Sequence, residues 1–237
     1  MVLSWTPVRE IELGTAQWHL TMALNETLTR ENLRTPKAAA IAGIAFSVLL
    51  ITFFWLVRLS IPADPMDSGA WVATSGNRVA FALNLVPFSG IAFLWFIGVI
   101  RDRLGQREDR FFATVFLGSG LSFLAMLFIA AAAIGAIVLV ASTQANELMN
   151  SPTFRFARAI AYIIMNVYAI KMAAVFMITT STVAFYTAFI ARWIAYLGYA
   201  LASILLVGSY YIGWSFFVLP AWVLLVSLYI LADNLRR

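Results

Sequence analysis

Six apolar runs, each long enough to cross a bilayer, leave this chain few folds to choose from; they lie at about residues 37–57, 79–100, 111–141, 154–190, 193–210 and 214–231. A hydrocarbon core is crossed by about 20 residues of helix, and every backbone polar group inside it must be satisfied within the segment or a closed barrel. The runs are continuous rather than alternating, which excludes a β-barrel. All eleven acidic residues fall outside them, and Lys171 is the one basic residue deep inside a run. With 62% hydrophobic and 11% charged residues, a soluble domain would lack polar surface. The expected fold is all-α: a polytopic transmembrane helical bundle of about six spans, with long third and fourth helices.

Residues 1–35 read as a cytoplasmic amphipathic N-terminal segment, and 36–237 as the six-span transmembrane domain. In the former, Leu13, Ala16, Leu20, Leu24 and Leu28 recur at helical spacing, as in a helix lying on a membrane surface. No apolar signal-peptide core precedes residue 36, so the first span is expected to direct insertion. Thr35-Pro36 and Ser151-Pro152 are cap-plus-proline helix starts. Between the first two spans, Pro62, Pro65, Gly69 and Gly76 predict a loop over 61–77.

Charge sets the orientation. With the N-terminus inside, Arg9, Arg30, Arg34, Lys37, Arg101, Arg103, Arg107, Arg110, Arg192, Arg236 and Arg237 fall on the cytoplasmic side, against Arg58, Arg78, Arg155, Arg158 and Lys171 outside. That asymmetry predicts both termini in the cytoplasm. The basic residues are scattered over span ends rather than gathered on one face, which argues against nucleic acid as a partner. Arg101, Arg103, Arg107 and Arg110 flank the second and third spans and are candidates for lipid-headgroup contact. The chain has no cysteine and a single histidine, His19, and the spans hold no carboxylate pair, so no cofactor or metal site is expected and no catalytic set is apparent.

The third run covers about 46 Å of helix at 1.5 Å per residue, and the fourth is longer, so both exceed a bilayer core. On an upright geometry their surplus projects as an apolar hairpin that needs cover from the opposing helix, another copy or a different subunit; tilt is the competing account. Lys171 then sits at the outer interface, where a lysine can snorkel to water. If 154–190 instead breaks into two segments, Lys171 and Asn166 face a protein-lined cavity. Thr179 and Thr182 share a stripe with Lys171, while Arg158, Tyr162 and Asn166 form another. These residues make a candidate cationic pocket for an anionic headgroup or substrate, although the threonines can equally bond their own helix. Small residues at four-residue spacing (Ala39, Gly43 and Ser47; Ala131 and Gly135; Gly198 and Ala202) predict close helix approaches. Pro87 and Pro220 predict kinks, and Asn84 an interhelical hydrogen bond.

The stretch Asn84-Leu85-Val86-Pro87-Phe88-Ser89-Gly90, continuing through Arg101-Asp102-Arg103-Leu104-Gly105 to Gly118-Ser119-Gly120, resembles a family of uncharacterised bacterial multi-span integral membrane proteins. The resemblance covers spans 2 and 3. It implies a bacterial inner-membrane location and carries no site residues. The leading expectation is a non-catalytic membrane subunit that contacts lipid and docks into a larger transport or lipid-handling complex, or self-associates. The alternative is a small transporter or channel with a cationic pocket around Lys171.

Overall fold

The computed structural model describes residues 36–64, 66–67, 69–104, 110–149, 151–187, 190–208 and 213–236. The N-terminal segment, Arg107 and the side chains of Arg103 and Arg110 lie outside the described residues. Every regular element among those described is helical: α1 is Pro36–Ser60, α2 Trp71–Leu104, α3 Arg110–Met149 and α4 Pro152–Ile163. A π-helical stretch, Ile164–Ala169, leads without a break into α5, Ile170–Thr187. The chain continues through α6, Arg192–Gly208, a 3₁₀ turn, Ser215–Phe217, and α7, Val218–Arg236. Five segments are long and apolar enough to cross a membrane: Lys37–Ser60, Trp71–Arg101, Phe111–Gln144, Pro152–Tyr186 and Ser215–Leu235. The sixth, α6, has 17 residues and a length of about 25 Å, a little under the thickness of a bilayer core.

Around the bundle, α7 packs on α1, α1 on α2, α2 on α3, α3 on α4 and α5, and α5 on α6. The Trp222 Nε1–H closes the ring by donating to the Ile194 carbonyl at 3.4 Å. Aromatic rings fill the middle. Phe46 stacks on Phe93 at 4.5 Å, and Phe176 meets both Phe93 and Phe116 at 5.1 Å, so four helices share one cluster. Small residues let backbones approach closely, as the spacing in α1 and α6 predicted. A Cβ at Gly43 would run into Ser227 Oγ and the Phe96 ring, and one at Gly198 into Ser181 Oγ and Trp222. Ala131 and Gly135 behave differently: the nearest atom to a Cβ at Gly135 is 3.6 Å away, on Leu83. No tight crossing forms there.

The Phe111–Gln144 stretch of α3 has 34 residues and α2 also has 34, about 51 Å each, longer than a hydrocarbon core of about 30 Å. The extra turns form a second apolar cluster in which Trp71, Val72 and Val79 pack with Ile137, Ala141 and Phe154. Neighbouring helices of the same chain therefore cover part of this apolar surface, one of the three forms of cover expected from the sequence.

Several local expectations change. Helix α2 begins at Trp71 rather than near Val79, so Gly76 is helical rather than part of the loop. A mid-helix glycine costs about 1 kcal/mol relative to alanine, and burying Trp71 and Val72 offsets that. Pro87 sits inside a continuous α2. Asn84 makes no interhelical bond among the described residues; it is exposed and donates to Ala80 O in its own helix at 2.9 Å. Helix α3 departs from helical geometry at Gln144 (φ −135°, ψ 44°). The Ser151-Pro152 start forms as read from the sequence, with Phe154 N–H donating to Ser151 Oγ at 3.2 Å.

Candidate functional site: an arginine-lined cavity above the bundle core

Between the main aromatic core and the outer cluster lies a cavity of about 210 Å³. It exists because small side chains stand where bulky ones would close it: Ala130 and Ala131 on α3 and Ala161 on α4. Phe53, Phe54, Leu83, Leu127, Met165 and Phe216 supply most of the remaining apolar wall. That mostly apolar wall suits an apolar occupant.

The polar part of the wall is cationic. Arg58, Arg158, Tyr162 and Asn166 line the cavity, and no acidic residue does so among the described residues. Arg158 is only 4% exposed. Its Nη2 donates to Asp64 O at 2.7 Å and Pro62 O at 3.2 Å, which pins the α1–α2 connection to α4. Its guanidinium also lies 5.6 Å from the centroid of the Trp71 ring, within cation–π range. Nη1 is buried and has no hydrogen-bond partner among the described residues. The carboxylates of Asp67 and Asp64 in this turn lie near enough to offset part of the Arg158 charge, while Asp64 Oδ1 also accepts from Met66 N and Asp67 Oδ1 from Gly69 N. An unmatched buried donor costs roughly 1–3 kcal/mol, and more when charged.

Arg58 arrives from the last turn of α1 and lies 5.7 Å from the Trp214 ring centroid. Asn166 sits in the π stretch and donates to Tyr162 O at 3.0 Å. Met165 and Asn166 of this π stretch both lie on the cavity wall. Such bulges recur at functional sites, where they re-aim side chains.

The sequence-predicted residues divide. Arg158, Tyr162 and Asn166 do form one wall, as their spacing implied. Lys171 is exposed and lies off that wall, so the cationic centre of the cavity is the arginine pair. Thr179 is buried and bonds its own helix through Val175 O and Phe176 O at 3.0 Å. Thr182 bonds Ile178 O and accepts from the Tyr199 hydroxyl at 2.7 Å, linking α5 to α6. Neither threonine lines the cavity. Arg101 is exposed at the end of α2. Sequence reading overlooked Arg58, which counts there only toward topology; the alanine run from Ala130 to Ala133 was the available sign of missing bulk.

No family model matches this chain, and neither a curated protein nor a solved structure shows significant similarity to it, so the cavity is interpreted from its own chemistry.

Proposed function

We propose that this chain is a non-catalytic integral membrane protein that holds an anion with an apolar part in the Arg158 cavity, as an accessory of a transport or lipid-handling assembly. The supporting observation is a buried guanidinium with one nitrogen unbonded among the described residues, sharing a mostly apolar wall with a second arginine, Tyr162 and Asn166. The cavity lies at the end of the bundle where the main core gives way to the projecting cluster. With the cytoplasmic termini and bacterial inner-membrane setting inferred from sequence, it opens at the level of the outer headgroups, where an amphiphile partitions between water and hydrocarbon. The test is thermal unfolding in phosphatidylcholine nanodiscs with added lysophosphatidylglycerol against added lysophosphatidylcholine. Anionic lipid should stabilise the wild type, by about 2.7 kcal/mol at a hundredfold excess over Kd, and Arg58→Gln should remove most of that gain. Equal stabilities in the two lipids would reject the reading.

A docking role has its own observation. Leu139 and Phe156 remain 72% and 68% exposed on the projecting hairpin, despite the cover from α2. We propose this ridge as the contact to another membrane subunit or a second copy. Purification in mild detergent from native-level expression should yield a complex; a monodisperse monomer without partners would count against it.

A further inference from the structure

We infer that the occupant of the cavity is a single-chain anionic amphiphile: one carboxylate or phosphate head on one slender apolar chain, with roughly the first eight carbons housed by the protein. This deepens the anion-binding reading and rests on it. Two observations narrow the class. The first is volume. A cavity of about 150 Å³ takes one benzene ring, so about 210 Å³ houses roughly eight carbons and leaves no room inside for a second chain.

The second is polarity along the cavity. Arg158 and Asn166 both line it two helical turns apart, so it extends about 12 Å along the helix axes. One end holds Arg58, Arg158 and the Pro62 carbonyl region; toward the core the wall becomes Phe53, Leu127 and Met165, beside an Asn166 amide already donating to Tyr162 O. A small inorganic anion would satisfy the arginines and leave the apolar length unmatched. A neutral alcohol would fill the length and bring no charge to the arginine end. Only a molecule with both features matches both ends. Its head approaches Arg58 and Arg158, and its tail lies between the α3 alanines and Met165.

The experiment uses the full chain in a neutral maltoside detergent, with retention read by native mass spectrometry and thermal shift. The probes are octanoate, octanol, inorganic phosphate, a lysophosphatidic acid and a diacyl phosphatidylglycerol. Octanoate should bind about tenfold more tightly than octanol or phosphate, as one charge-assisted contact predicts. The free carboxylate and the lyso-lipid distinguish a soluble source from a membrane source; preferential binding of either supports the class. Because Arg158 also holds the α1–α2 connection, the variants are Arg58→Gln, which should weaken octanoate severalfold, and Ala131→Phe, which should abolish its retention while the apo protein melts no lower than wild type. Tighter Arg58-dependent binding of inorganic phosphate or of the diacyl lipid would overturn the single-chain inference and leave anion binding standing. Octanol binding as tightly as octanoate, or the absence of any Arg58-dependent anion retention, would overturn both.

Discussion

Two glycines near the start of α2 should respond in opposite directions to the same substitution. Gly69 has φ +81°, and a Cβ there would run into the Phe154 ring. Alanine in that left-handed conformation costs about 1–2 kcal/mol, and displacing a packed ring adds about 1–3 kcal/mol. Gly69→Ala is therefore expected to destabilise by about 2–5 kcal/mol. Gly76 sits inside the helix with nothing within 4 Å of a built Cβ, so Gly76→Ala should stabilise by up to about 1 kcal/mol. Unfolding by SDS titration in mixed micelles measures both. Hydrogen exchange adds location: the loss in Gly69→Ala should appear first at residues 61–72 and the start of α4, because Phe154 belongs to the outer cluster. If both variants shifted stability in the same direction, or if exchange rose evenly through the bundle, the outer cluster as a distinct packed unit would be refuted.

Phe154→Ala should cost about 3–5 kcal/mol and raise exchange in the α1–α2 connection, since the ring is fully buried against Gly69 and Trp71; unchanged exchange there would contradict the contact. Gly198→Val should destabilise by at least about 1–3 kcal/mol, because Ser181 and Trp222 leave no room between α5, α6 and α7; a neutral result in a thermal melt would mean the crossing is looser. Tyr199→Phe should cost only about 0.6 kcal/mol, and no more than about 1.7, because a single hydroxyl bond to Thr182 is lost and Thr182 keeps Ile178 O.

The bundle was legible because hydropathy reports membrane spans directly. Five of the six expected spans, the overlong third and fourth runs and the Ser151 cap follow from residue type and spacing alone, while the fifth run forms a shorter helix. The site was only half legible. Arg158, Tyr162 and Asn166 recur at helical spacing, so their shared wall could be read from one helix. Arg58 could not be assigned to that wall: it comes from α1, and only the folded α1–α2 connection brings it beside α4. Lys171 misled for a related reason. Its depth in an apolar run signals function only if it faces inward, and helical phase carries it to the exposed side. The π stretch left no sequence mark, yet Met165 and Asn166 within it both lie on the cavity wall. The start of α2 was misread because Gly76 resembles a turn signal, whereas burial of Trp71 and Val72 in a cluster remote in sequence carries the helix through it.

The central claim is that the arginine-lined cavity selects an anion bearing one apolar chain. The most direct measurement is native mass spectrometry of the chain drawn from its own membrane, with the retained small molecules identified after release. One anionic single-chain species per chain, absent from an Arg58→Gln, Ala131→Phe double variant of unchanged fold, is the predicted result. Equal retention by the wild type and the variant, or retention of neutral species alone, would contradict it.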